Sequence, residues 1–218
     1  MRRSNIVIFA SLNPDKLAEF KEILSTEAPD VELVAPQDYI RNAEKLRFVE
    51  IYKTYVENAA AKARLANHGA HYPALADDSG LEVQALEGAP GVFSQRYAKP
   101  AAGKFFSTRA EQDRANMEKL LTELKKTSGP KTARFVTTLA LSIEGITLTA
   151  TGTLEGTIID APRGTEGFGY DPIFVPQGQT KTLAEMSHQE KNAISHRRKA
   201  VQELMAQMKS RGIIFAKP

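Results

Sequence analysis

The stretch Asn5-Ile6-Val7-Ile8-Phe9-Ala10 is apolar at every position from Ile6 onward. Side chains on a strand alternate between two faces, so a strand made from this run has no face suited to water and belongs inside a sheet covered on both sides. The next residues, Ser11-Leu12-Asn13-Pro14-Asp15-Lys16, place an N-cap residue at Asn13 and proline at the first helical position. Leu17, Phe20, Ile23 and Leu24 then fall on one helical face. A buried strand that feeds a capped helix is a βα unit, and it points to an α/β fold. The helix start can bind an anion through its free N–H groups and Lys16, or it can be an ordinary capped turn with a solvated lysine. It lacks the glycines of a P-loop.

Further along, Val31–Ala35 reads as a second strand, and Pro36–Lys53 is polar and poorly periodic, with Glu50 resembling a solvated surface residue. A helix is expected from Thr54 to about Gly69, with Tyr55, Ala59, Ala63 and Ala66 near one face. His68 and His71 at its end read as surface histidines. Pro73–Ala76 forms a strand expected to stop at Asp77-Asp78-Ser79-Gly80, which places two carboxylates and a hydroxyl at a strand end. Such a group suits a hard divalent cation, and equally an Asx-turn or a helix N-cap. Gly80, Gly88, Pro90 and Gly91 mark tight turns. The loop Ala98–Ser107 suggests no role.

A structural helix follows Thr108-Arg109-Ala110-Glu111, with Met117, Leu120, Leu121 and Leu124 as its apolar face. Ala133–Ile143 and Ile146–Leu154 form a hairpin about Glu144-Gly145, and Gly156–Ile159 continues as strand. The glycine-rich loop Pro162–Pro172 exposes backbone and offers Phe168 and Tyr170 as stacking faces. Ser187–Glu190 caps a helix on which Lys191, Ser195, His196, Arg197, Arg198 and Lys199 crowd polar donors. Most such runs are a solvated face. Val201, Leu204, Met205 and Met208 form a core stripe.

Composition excludes some chemistry. There is no cysteine among the 218 residues, so thiolate nucleophiles, disulfides and zinc–sulfur sites are absent. No apolar run approaches the ~20 residues that span a bilayer, and Met1-Arg2-Arg3 leads into a strand instead of a signal-peptide core, so a cytoplasmic protein without a membrane partner is expected. A net charge of +3 and a pI near 9.0 favour anionic ligands, but the basic residues are too dispersed for a nucleic-acid stripe.

FASLNPDK, VENAAAKA, ADDSGLEVQALEGAPGVFSQRYA, ARFVTTLAL, RGTEGFGYDPIF and AEMSHQEKNAISHR occur in that order. Together they resemble the inosine triphosphate pyrophosphatase family, enzymes that hydrolyse noncanonical purine nucleoside triphosphates (ITP, dITP, XTP) to the monophosphate and pyrophosphate. The resemblance implies an α/β fold with an elongated mixed central sheet and flanking helices, a single domain over 1–218 of two lobes with the active-site cleft between them, a Mg²⁺ cofactor and a homodimer. It implies Ser11, Asn13 and Lys16 as triphosphate ligands, Glu50 and Asp78 as metal ligands, Asp78 also as general base, and Asp77 as a supporting residue or second ligand. Ser79 would touch the substrate. Phe168, Gly169, Tyr170 and Asp171 match the base-binding loop, Lys191 matches a substrate-binding lysine, and His196 with Arg197 would read the six-position of the purine.

The chain departs from the family pattern at Leu12, where glycine is usual, at Ile51-Tyr52-Lys53, and at Gln95. Three other readings remain open on the residues: a non-catalytic nucleotide-binding protein, which would not need Glu50 and Asp78; a basic RNA- or DNA-associated protein, prompted by the pI, which predicts salt-sensitive binding to polynucleotide; and a pyrophosphatase for other modified nucleotides.

Overall fold

The computed structural model describes residues 5–100 and 102–215, apart from the side chains of Arg47 and Phe48. Met1–Arg3 therefore lie outside the described residues. The elements follow in the order β1 (Ile6–Phe9), α1 (Pro14–Glu27), β2 (Glu32–Val34), α2 (Tyr55–Ala70), β3 (Ala74–Val83), α3 (Arg109–Leu124), β4 (Thr132–Ile143), β5 (Ile146–Ile158), β6 (Phe174–Pro176), α4 (His188–Ile194) and α5 (His196–Ser210). Short 3₁₀ turns fill Pro36–Asp38 and Ala43–Val49, the stretch that showed no periodicity.

The strands form one six-stranded sheet in the order β2-β1-β3-β4-β5-β6. β1 runs parallel to both neighbours, with Val7 opposite Leu33 and Phe9 opposite Leu75. β6 is antiparallel to β5, with Thr157 opposite Val175. The sheet is therefore mixed. The β4–β5 turn has positive φ at both Glu144 and Gly145, the primed geometry that lets a two-residue hairpin follow strand twist.

Two compact units divide the chain: Met1–Asp78 with Thr137–Gly152 and His196–Pro218, and Ser79–Val136 with Thr153–Ser195. In the first, β1 is covered on both faces, as its unbroken apolar run requires. Val7 and Phe9 pack with Phe20, Ile23 and Leu24 of α1 and with Val201, Leu204 and Met208 of α5. Ile8 and Ala10 face Ala59, Ala63 and Ala66 of α2, whose small side chains let helix and sheet approach closely. The second unit packs Leu120 and Leu124 of α3 against Leu81, Val83, Phe135, Leu154 and Phe174.

One strand departs from expectation. β3 does not stop at the carboxylates; it continues through Asp77, Asp78, Ser79 and Gly80 to Val83. Neither the strand end nor the turn or cap read from DDSG is present. The strand tolerates the two charges because alternation sends them to opposite faces, where each meets a partner from a different helix, Lys16 of α1 and Asn58 of α2.

Candidate active site

In the first unit, the turn after β1 is a well-formed helix cap. Asn13 Oδ1 accepts the N–H groups of Asp15 at 3.0 Å and Lys16 at 3.5 Å, and Ser11 Oγ accepts the N–H of Asn13 at 3.3 Å. The capping role is thus satisfied locally, while the α1 N-terminus remains polarised toward an anion. Leu12 is half-buried. Lys16, on the first turn, reaches across to β3, its Nζ 2.6 Å from Asp77 Oδ2.

α2 brings two polar residues to the same region. Asn58 and Lys62, four apart, share the helix face that is otherwise alanine. Asn58 Nδ2 donates to Asp78 Oδ2 at 2.9 Å and to the Tyr52 carbonyl at 3.2 Å, and Asn58 Oδ1 accepts the Tyr52 N–H at 3.0 Å. One amide thereby holds the segment after Glu50 against β3. Lys62 Nζ lies 2.6 Å from Glu50 Oε1 and 3.9 Å from Asp78 Oδ1, and it donates to the Asp77 carbonyl. Glu50, Asp77 and Asp78 thus gather around two ammonium groups.

These surroundings drive the neighbouring carboxylates apart. Burial opposes the ionisation of Asp77, but the charges of Lys16, Lys62 and Arg197 outweigh it and hold this carboxyl far below the usual range. At Asp78 burial dominates, and the negative Glu50 adds to it, so the carboxyl is pushed up to about 6 against the pull of Lys62. Glu50 is penalised by burial yet ends lowered through its pairing with Lys62. The Lys62 ammonium, fully desolvated, is nevertheless held above its ordinary range by Glu50, Asp77 and Asp78.

His196 and Arg197 open α5 in this same unit and are both buried. Arg197 Nη1 donates to Glu19 Oε2 at 3.0 Å, an ion pair between α5 and α1. Its charge is also felt at Asp77, so Arg197 stands on the electrostatic side of the Lys16–Asp77 pair. The helix start presses on β5: a Cβ at Gly152 would lie 2.2 Å from the His196 carbonyl oxygen and 2.5 Å from the Ala200 nitrogen. Only glycine permits that approach.

The second unit holds Ser79, half-buried on β3, and the glycine-rich loop. Phe168 is half-buried, with the Lys191 ammonium 4.8 Å from its ring centre. Asp171 Oδ2 accepts the Phe168 N–H at 2.9 Å and pairs with Lys191 Nζ at 2.8 Å. That oxygen sits 2.1 Å from where a Gly167 Cβ would be, at φ +75°, so the loop can close over the carboxylate only with glycine there. Tyr170 does not offer a stacking face. Its ring is buried in the core of the unit and its hydroxyl donates to the Ser94 carbonyl at 2.9 Å.

Sequence reasoning missed Asn58 and Lys62, although VENAAAKA contains both. The available signal was their i, i+4 spacing within an alanine face, where polar side chains need buried partners. His68 and His71 are exposed, as expected. Among the described residues no group of three His, Asp or Glu side chains is arranged to hold a metal ion.

Residues 7–207 match the Ham1 family. The dITP/XTP pyrophosphatase of Aquifex aeolicus is 41% identical over 204 residues, covering 94% of this chain and 96% of its own. That of Ralstonia nicotianae is 43% identical over 212 residues, covering 96% and 98%. A HAM1 protein from Coxiella burnetii has a similar structure, with a TM-score of 0.76 at 37% identity over 94% of this chain and 98% of its own. The Ham1 protein of Staphylococcus aureus gives 0.74 at 35% identity, covering 94% and 99%. Order of motifs, sheet architecture and identity along nearly the whole sequence agree, and this chain belongs to the Ham1 family.

Proposed function

We propose that this protein hydrolyses noncanonical purine nucleoside triphosphates (ITP, dITP and XTP) to the nucleoside monophosphate and pyrophosphate, acting as a Mg²⁺-dependent homodimer in the cytoplasm. Its relatives support the activity, since proteins 41–43% identical to it are dITP/XTP pyrophosphatases. The observation that most favours a catalytic role over simple nucleotide binding is the contrast between Asp77 and Asp78. Adjacent carboxylates pushed apart in proton affinity take different tasks.

Asp77 remains ionised and keeps Lys16 oriented. Burial pushes the Asp78 carboxyl up to about 6 in the metal-free chain, which leaves it the more basic of the two neighbours and the one suited to accept a proton from water. In the reaction it takes a proton from water as the water oxygen bonds to phosphorus and the α–β anhydride breaks, with pyrophosphate leaving. Lys16, Lys62, Ser11 and the α1 N-terminus oppose the charge of the phosphates, with Asn13 fixing the turn and Ser79 contacting the substrate.

Glu50 and Asp78 both approach the Lys62 ammonium, at 2.6 and 3.9 Å, so their oxygens already converge on one positive charge. That arrangement fits Mg²⁺, which takes one or two carboxylates and shares phosphate oxygens and water instead of requiring a protein cage. When bound, Mg²⁺ neutralises phosphate charge and acidifies coordinated water. Phe168 stacks on the base, within a loop tied by Asp171 and Lys191. Arg197, oriented by Glu19, and His196 select the 6-oxo group, because arginine offers only donors and the 6-amino group of adenine needs an acceptor.

The test is pyrophosphate release with Mg²⁺ from ITP, XTP, dITP, ATP, GTP and dTTP measured separately. The expected order places ITP, dITP and XTP above ATP by at least about a hundredfold in kcat/KM, the scale of hydrogen-bond discrimination, and the GTP rate reports whether the 2-position is read as well. Equal rates on ATP and ITP would remove the 6-oxo selection.

A further inference from the structure

α3 looks structural from its apolar face, yet one polar stripe of it reaches two loops of the second unit. Asp113 Oδ2 accepts the N–H of Gly169 at 3.0 Å. Asn116, three residues on, accepts the Ala98 N–H at 2.7 Å and donates to the Gln95 carbonyl at 3.0 Å. Arg109, one turn before Asp113 and 3.7 Å from its Oδ2, lays its guanidinium 5.0 Å from the centre of the Phe168 ring. The placement is unusual for a helix. A cation in the first turn opposes the helix dipole, and the Asp113 carboxylate four residues on, which offsets it, is also engaged with the loop. Both are explained by what they touch, since each fixes a different part of the same loop: one its backbone, the other its aromatic ring.

We propose that Asp113 and Arg109 are positioning residues for base recognition, Asp113 setting the height of the Phe168–Gly169 backbone and Arg109 the plane of the Phe168 ring. This rests on the reading of Phe168 as the residue that stacks on the purine. Neither residue has a part in the phosphate chemistry, so their removal weakens binding of the base and leaves binding of a base-free polyphosphate unchanged.

The test compares Asp113→Ala, Asp113→Asn and Arg109→Ala with the unaltered protein, measuring kcat and KM for ITP, the inhibition constant of inorganic tripolyphosphate, and thermal melting. Asp113→Ala and Arg109→Ala are expected to raise KM about ten- to a hundredfold, the effect of losing a hydrogen bond to a charged group or a comparable contact. Turnover at saturation should stay within about threefold, and the tripolyphosphate constant should not move. Asp113→Asn keeps an oxygen for the Gly169 N–H and should fall between. Should Asp113→Ala fail to fold, Arg109→Ala and Asp113→Asn decide the matter. Unchanged KM in these variants, or KM and the tripolyphosphate constant rising together, overturns the proposal. An unaltered protein that binds ITP no more tightly than tripolyphosphate overturns the stacking reading and this one with it, whereas an active protein with kinetically silent variants overturns this one alone.

Discussion

Asp77 and Asp78 differ by one position in a strand, and that is enough to send one carboxylate to Lys16 and the other to Asn58. The consequence is clearest at Asp78. Its carboxyl rises from 3.8 to about 6, so at neutral pH the folded chain holds a charge that burial disfavours. Asp78→Asn removes that charge while leaving an oxygen for Asn58. It should lower kcat at least about a hundredfold, as loss of a general base does. Measured in EDTA at pH 7, the same variant should be more stable by roughly 1–3 kcal/mol, as a shift of this size implies, and a chemical-denaturation curve checks it. Equal or lower stability would contradict the burial argument. Part of this residue-level arrangement is legible in the sequence, where Lys16 on the first helical turn and the DDSG carboxylates both stand out. Their pairing was not visible, because Lys16 and Asp77 lie 61 positions apart and only the fold sets them together. Glu50 has no local signal at all, and Tyr170 resembles a stacking ring in the sequence because an aromatic in a glycine-rich loop gives no sign of which way it turns.

Among the elements, those with local punctuation were readable. Asn13-Pro14 begins α1, Thr54 begins α2, Thr108 begins α3, and Glu144-Gly145 turns the hairpin, each a short-range effect of a cap or turn. β3 was read too short because charged residues end most strands, and the lysine and asparagine that compensate them come from two helices. The glycines of β5 are a further case. A glycine weakens a strand by itself, but in the fold Gly152 admits the start of α5. Gly152→Ala should therefore cost about 1–3 kcal/mol, the usual cost of overpacking. A fall in the urea midpoint with an unchanged m-value checks this, and an unshifted midpoint would show that α5 does not need the close approach.

At the scale of the whole molecule, the site charges give stability a pH profile with two parts. Between 3.8 and about 6 the folded chain binds more protons at Asp78 than the unfolded chain does, so the Asp78 contribution falls as pH rises through that window. Asp77 and Glu50 have the opposite sign. Their lowered values make them stabilising above their ordinary 3.8 and 4.5, and that stabilisation is lost as pH falls. Without Mg²⁺, stability should peak on the acid side of neutrality, and Asp78→Asn should flatten the decline between pH 4 and 6; denaturation midpoints measured across pH test both. The α/β class and the family were legible from sequence because motif order is a property of the entire chain. The cluster around Lys62 became legible only with the fold. The most direct measurement of the central claim follows ITP with Mg²⁺ and the protein by phosphorus NMR in the first turnovers. IMP and pyrophosphate should appear together with no IDP, and the appearance of IDP with orthophosphate would contradict cleavage at the α–β linkage.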